Sequence, residues 1–360
     1  MIQNSAFNML RNVVTIPTAP FQEELVADFI KNWAISEEFD CSIDDSGNLF
    51  VTFANGGKEQ WILEAHMDHP GFQAVSQEGN IVSAWFRGGV KEEYFIGQDV
   101  VFFSQDEEIT GTIESIVKDE DTKWFRCEIN IGEGSNVRAG SAGMWHIPDF
   151  DQRGDIIASR VCDDLAGVAA IMTVLENLKE NNVCCHCTAL FTRAEEVGFV
   201  GAIGACRGGH IPQSAHIIAV ETSKAQPGAG LGDGVVIRVG DKTSTFSPLL
   251  TGYVDNIAKG LKKEDEDFAY VRMLMPGGTC ESSVYCTCGY SATGLCLALG
   301  NYHNMGSDGR PAPEEISFFD YENLVKLMEA VVSFDGSPQG AADAWMDKNN
   351  ERYDRLKQYL

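Results

Sequence analysis

Between about residues 72 and 157 the chain changes its periodicity, and that change limits the folds open to it. Ile81-Val82-Ser83-Ala84-Trp85-Phe86, Val100-Val101-Phe102-Phe103, Gly111-Thr112-Ile113-Glu114-Ser115-Ile116-Val117 and Trp124-Phe125-Arg126-Cys127-Glu128-Ile129-Asn130-Ile131 are short strand-like segments. Turns rich in Gly and Asp/Glu separate them. With no long helical period among them, they predict a small all-β module, a barrel or a sandwich.

The flanking sequence reads differently. Two helices are expected within residues 1–38, separated by Pro17 and Pro20. Asp44-Asp45-Ser46-Gly47-Asn48 reads as a turn between strands, and Trp61 to Ala65 as a buried strand. After the module come a helix at Leu165–Lys179 and strands at Cys184–Phe191, Ile217–Val220, Val235–Val239 and Ala292–Leu299. Helices are expected at 247–262 and Glu322–Val332, and a polar helix with an apolar stripe that includes Trp345 and Leu356 closes the chain. Alternating strands and helices specify an α/β fold, a mostly parallel central sheet covered by helices. The expected division is an α/β domain at 1–71 and 158–360, with a barrel-like β-domain inserted at 72–157.

Polar residues of one kind gather at the expected strand ends. His66 and Asp68 follow Trp61–Ala65; Asp163 and Asp164 precede the helix at 165; Glu195 and Glu196 follow Phe191; Glu221 follows Val220; and His303 follows Leu299. Carboxyl ends of strands are where open α/β sheets place ligand sites. Each residue has an ordinary explanation taken singly. Asp163-Asp164 could be a helix N-cap, His303 a hydrogen-bonded loop histidine, and Glu195-Glu196 a solvated helix surface. Taken together they form a donor set of carboxylates and imidazoles suited to zinc or cobalt. Without a cation, that many carboxylates would raise one another's pKa. Adjacent in sequence, Glu195 and Glu196 point in different directions, which suits one to ligation and the other to proton transfer.

Charge and composition remove several alternatives. A formal net charge of −26 opposes binding to nucleic acid phosphates. The apolar runs are short and interrupted, so no membrane span is expected, and Met1-Ile2-Gln3-Asn4-Ser5 lacks the start of a secretory signal. The 11 cysteines are odd in number and several lie in apolar runs, which fits free thiols in the cytoplasm.

The motifs Ala65-His66-Met67-Asp68-His69-Pro70-Gly71-Phe72, Cys162-Asp163-Asp164-Leu165-Ala166-Gly167, Glu195-Glu196-Val197-Gly198-Phe199-Val200-Gly201-Ala202, Pro276-Gly277-Gly278-Thr279 and His303 occur in this order. The chain thereby resembles the co-catalytic metallo-aminopeptidases of the M42 family over roughly residues 5–335, inserted β-domain included. The resemblance implies a zinc-peptidase-like fold and two divalent metal ions, zinc first, with cobalt or manganese as alternatives. It implies that Asp163 bridges the metals, that His66 and Glu221 complete one site, and that Glu196 and His303 complete the other. Glu195 would be the general base and Asp68 would orient His66. Small peptides are the implied substrates, and a homo-oligomer, often a dodecamer built through the β-domain, is the implied assembly.

This sequence departs from the family pattern at several points. Leu165 stands where the pattern has Arg, Cys280 where it has Asp, Glu221 where it has Asp, and His69 where it has an acidic residue. Its Arg-Tyr-x-His-Ser run appears as Asn301-Tyr302-His303-Asn304. None of these removes a metal ligand, but the substrate preference does not carry over. A two-metal amidohydrolase acting on N-blocked amino acids and a non-catalytic metal-binding subunit are competing readings. A glycoside hydrolase leaves both histidines without a role. Cys184-Cys185-His186-Cys187 cannot close a tetrahedral site from one strand. Gly228–Gly234 lacks the ending of a phosphate loop and reads as a flexible loop that could line the cleft.

Overall fold

A computed structural model of the chain describes residues 5–104 and 107–360; the opening Met1-Ile2-Gln3-Asn4 lies outside the described residues. Helices α1 (Ser5–Val14) and α2 (Glu24–Ser36) come first, then strands β1 (Asp40–Ile43), β2 (Leu49–Ala54) and β3 (Gln60–His66). The barrel strands follow: β4 (Gly71–Glu78), β5 (Ile81–Arg87), β6 (Asp99–Ser104), β7 (Glu107–Lys118), β8 (Phe125–Asn130) and β9 (Ala142–Trp145). After β10 (Phe150–Arg153) and β11 (Ile156–Ser159) come α3 (Leu165–Glu180), β12 (His186–Thr192), α4 (Val200–Gly208), β13 (His216–Lys224) and β14 (Val235–Arg238). The remainder is α5 (Pro248–Glu264), β15 (Tyr270–Met273), α6 (Glu281–Thr287), β16 (Ser291–Leu299), β17 (Glu314–Ser317), α7 (Phe318–Ser333) and α8 (Pro338–Leu356).

The main sheet has eight strands in the order β1-β2-β12-β3-β13-β16-β14-β15. Its centre, β12-β3-β13-β16, is parallel, while β1, β2 and the β14–β16 pairing are antiparallel. Buried helices cover this parallel centre, as such strands require. The first turns of α3, from Leu165 to Leu175, are buried on every side, since α3 lies against β3 on one flank and α1 and α7 on the other. Asp164 caps α3 by accepting a hydrogen bond from the N–H of Gly167 (3.2 Å).

The six strands β4-β5-β8-β7-β6-β9 close into an antiparallel barrel. Alternation along β7, with Ile109, Gly111 and Ile113 inward, gives the barrel a filled interior. Phe72, Phe86, Phe95 and Trp145 pack there, Phe72 meeting Trp145 edge-on at 5.0 Å. The barrel strands end at Trp145. Residues 150–157, expected within the module, instead belong to β10 and β11, and β11 pairs with β17 from the C-terminal part. Such four-residue strands carry too little periodicity to be read from sequence; β15 escaped notice for the same reason.

Candidate metal centre

Parallel register brings the polar strand ends together. His66 at the end of β3 lies opposite Thr192 of β12, three residues before Glu195. On its other side β3 pairs with β13, with Glu64 opposite Ala219, so Glu221 falls beside His66. Expected at a strand end, Glu221 is in fact well inside β13, which runs on to Lys224.

The Asp163 carboxylate lies between two imidazoles. Its Oδ1 is 3.4 Å from His66 Nε2, and its Oδ2 is 3.5 Å from His303 Nε2. Glu196 Oε1 approaches His303 Nε2 at 3.1 Å, and Glu221 Oε2 lies 4.0 Å from His66 Nε2. Donor atoms of His66, Asp163 and Glu196 all lie within 4.8 Å of one another. Both histidines use Nδ1 elsewhere. His66 Nδ1 donates to the carbonyl oxygen of Asp68 (3.0 Å), and His303 Nδ1 to that of Gly89 (2.9 Å), in the segment joining two barrel strands. This tautomer leaves each Nε2 lone pair directed at Asp163, the arrangement that metal-ligating histidines adopt.

Two observations test whether a cation fits. Asp163 Oδ1 and Glu221 Oε1 are buried without a hydrogen-bond partner, a costly state unless something positive meets them. The electrostatics agree. Burial and the carboxylates of Glu221 and Glu196 push Glu195 well above the usual range. Burial pushes Glu221 up to about 8, with Asp163 and Glu281 adding to the rise. Burial opposes ionisation of Asp163 too, but His303 and His66 outweigh it and hold the carboxyl below its usual range. Although burial disfavours their charged forms, His66 and His303 are raised, His66 chiefly by Asp163 and Asp68 and His303 chiefly by Glu196 and Asp163. These shifts all favour positive charge at the cluster, which is what a divalent cation would supply, and the donor set suits zinc.

The Glu195-Glu196 turn is held from below. Asp68 Oδ1 accepts the N–H of Glu195 (2.9 Å) and Asp68 Oδ2 that of Glu196 (3.2 Å). Glu23 accepts from Ala194 N (3.1 Å) and from the Arg193 guanidinium (2.6 Å). These bonds hold Ala194 at φ +53°, a left-handed conformation that disfavours a residue with a Cβ. Glu196 turns to His303, whereas among the described residues no ion pair ties Glu195 to either histidine. Glu195 faces a cavity of about 290 Å³ that Arg238, Lys224, Met275 and Tyr302 also line. The lining includes Gln226 and Pro227 but not Gly228–Gly234, so the glycine loop lies off the cleft. The N–H groups of Gly232 and Gly234 bind Asp320 instead (2.8 and 2.7 Å).

Sequence reasoning missed the frame beneath the donors. Glu314 is buried, and its Oε2 accepts the N–H groups of Cys162 (2.8 Å) and Asp163 (2.9 Å) while Oε1 accepts that of His303 (2.8 Å). His69 Nδ1 donates to the Asp163 carbonyl oxygen (2.7 Å). Glu23, Glu314 and Gly89 act largely through the main chain, which leaves no motif to read.

The family model described as M42 glutamyl aminopeptidase matches residues 47–304. A protein of Acetivibrio thermocellus assigned as an aminopeptidase is 25% identical over 350 residues, covering 91% of this chain and 98% of its own. Aminopeptidase APDkam598 from the archaeon Desulfurococcus kamchatkensis superposes with a TM-score of 0.75 at 21% identity, covering 93% of this chain and 96% of its own. The Pyrococcus horikoshii TET1 peptidase, which can assemble into a tetrahedron or a large octahedral shell, gives a TM-score of 0.75 at 22% identity, covering 92% of this chain and 100% of its own.

Proposed function

Because this chain belongs to the M42 glutamyl aminopeptidase family and is a peptide hydrolase, we propose that it is a two-metal aminopeptidase that removes N-terminal residues from small peptides. Asp163 would bridge the two ions, with His66 and Glu221 on one side and Glu196 and His303 on the other. The observation that carries this reading is the Asp163 carboxylate, each oxygen facing an Nε2 whose ring partner, Nδ1, is bound to a main-chain carbonyl. Zinc is the proposed metal, with cobalt or manganese as alternatives.

Divalent ions bound there would polarise the scissile carbonyl and acidify the attacking water. Glu195 is the proposed general base. It lies in the cavity beside the donor cluster, and its raised affinity for a proton suits it to take one from water and pass it to the leaving amine. Asp68 positions the reaction by holding the Glu195 main chain and bordering His66 Nδ1 at 3.6 Å.

We further propose a homo-oligomer assembled through the inserted β-domain at 72–157, in a reducing, cytoplasmic setting. The shells formed by the Pyrococcus horikoshii peptidase and eleven cysteines free of disulfides support this. Among the described residues, no helix is long and apolar enough to cross a membrane.

The test is a panel of aminoacyl amides with free and blocked amines, assayed with Zn²⁺, Co²⁺ and Mn²⁺ added separately. With Arg238 and Lys224 on the cavity wall, the panel should include acidic as well as neutral first residues. Turnover restricted to free-amine substrates supports the assignment. Cleavage confined to N-blocked amides would make the enzyme a deacylase, and a protein that binds no divalent metal would end the proposal. Light scattering tests the oligomer.

A further inference from the structure

A chain of contacts runs from the β-domain to the Glu195-Glu196 turn without passing through the metal centre. Arg87, the last residue of β5, is buried, and its Nε has no hydrogen-bond partner. Two aromatic rings meet its charge. The guanidinium carbon lies 4.6 Å from the centre of the Trp124 ring and 5.4 Å from that of Phe21, within the range of a cation–π contact. Nη1 donates to Gln73 Oε1 on the neighbouring strand β4 (2.7 Å). Trp124 directly precedes β8 and meets Trp85 edge-on at 6.3 Å and Phe21 at 6.4 Å.

Phe21 lies outside the β-domain, in the segment joining α1 to α2. Its backbone is left-handed (φ +68°), which costs a residue of this size energy unless contacts hold it there. The ring is held against Arg87 and Trp124, and the N–H donates to Glu23 Oε1 (2.9 Å). That same oxygen accepts the N–H of Ala194 (3.1 Å), the left-handed residue directly before Glu195. Glu23 Oε2 accepts Nε and Nη2 of Arg193 (2.9 and 2.6 Å). One buried carboxylate therefore ties the backbone of Phe21 to the turn that presents Glu195.

We propose that Arg87 and Trp124 of the β-domain are positioning residues for the base: they fix Phe21, Phe21 fixes Glu23, and Glu23 sets the Ala194–Glu195 backbone. This rests on the reading of Glu195 as general base. Without the clamp, Phe21 leaves its left-handed conformation and its N–H is withdrawn from Glu23. The carboxylate then follows Arg193, which also reaches Glu24 (3.8 Å), and Ala194 loses the bond that holds it. A shift of about 1 Å at a reacting group can cost about 10²-fold in rate. Asp68 still holds the N–H groups of Glu195 and Glu196, so the loss is partial. Phe21, Arg87 and Trp124 all lie off the cavity, which leaves substrate affinity and metal binding unaffected.

The experiment measures kcat and KM of the full-length, metal-loaded protein on the free-amine aminoacyl amide it cleaves fastest. Trp124→Ala should lower kcat about 10–100-fold, with KM, bound metal and circular dichroism unchanged. Trp124→Phe, which keeps a ring for the guanidinium, should restore most of the rate. Phe21→Leu keeps apolar bulk without the ring and should behave as Trp124→Ala does. Added to Glu195→Gln, Trp124→Ala should cost nothing further, because both act through one group. Normal turnover in Trp124→Ala and Phe21→Leu, a loss borne by KM, equal losses in Trp124→Ala and Trp124→Phe, or a full additional loss in the Glu195→Gln background would overturn the proposal and leave the base in place. Near-normal turnover of Glu195→Gln alone would remove the base and this proposal with it.

Discussion

His69 Nε2 lies 3.0 Å from the side-chain oxygen of Asn304. Both residues depart from the family pattern, and they meet each other. The Asn304 amide nitrogen donates to the carbonyl oxygens of Arg160 (2.9 Å) and Ala312 (3.2 Å), which orients its oxygen toward the ring. The far side of the ring supports the main chain of Asp163. The two substitutions thus act as one unit. In a double-mutant cycle, His69→Ala and Asn304→Ala should be non-additive by about 0.5–3 kcal/mol in urea unfolding. Additive losses would show that the contact carries no energy.

Glu195→Gln removes the proposed base but keeps the side chain's size. It should lower kcat by about 10²–10⁴-fold, with the fold and metal content unchanged. Circular dichroism and elemental analysis are the controls, and near-normal turnover would reassign the base.

Asp68→Asn replaces a carboxylate that accepts two main-chain N–H groups with a side chain offering one acceptor oxygen. The amide NH₂ then faces a donor. We expect kcat/KM to fall by about 10–100-fold, with a smaller loss in thermal stability. Unchanged kinetics would show that the Glu195-Glu196 turn holds itself.

Glu314→Gln tests the hidden frame. All three hydrogen bonds to the Glu314 carboxylate come from main-chain N–H donors, so an amide must lose at least one, at about 1–3 kcal/mol. Asn301, His303 and Asn304 all have left-handed backbone (φ +49°, +54° and +59°), so His303 should shift once its anchor weakens. Metal affinity, measured by competition with a chelator, should fall about 10–100-fold. Retained affinity would confine Glu314 to folding.

Metal removal should make stability depend on pH. Without a cation, Glu221 rises from 4.5 to about 8, and Glu195, His66 and His303 are also raised. Each binds protons more tightly folded than unfolded. Their contribution is fully present below the unfolded values and is lost as pH rises through the folded ones. The melting temperature of chelated protein should therefore fall between about pH 5 and pH 8, widening its gap from the metal-loaded form. A constant gap would mean that the carboxylates find other compensation.

Much of this was legible in the sequence because it rests on local period and chemistry. The alternating segments after Phe72 specified the β-module, and the largely apolar run from Leu165 specified a helix beside a mostly parallel sheet. The proposed donors His66, Asp163, Glu196, Glu221 and His303 stood out because side chains of ligating type recur at strand ends. The boundary after Trp145 was not legible, because β11, which also pairs with β10, finds its partner β17 more than 150 residues away in sequence.

By itself, then, the sequence determined the proposed donors, their order and the two kinds of secondary structure that carry them. Tertiary structure alone decided how those donors are aimed. Gly89 of the β-module fixes the tautomer of His303, Glu314 holds Asp163 and His303 by their backbones, and Asp68 sets the Glu195-Glu196 turn. The reason is physical: a ligand's identity resides in its own side chain, while its direction depends on hydrogen bonds to main-chain groups that any residue could supply, brought near only by folding.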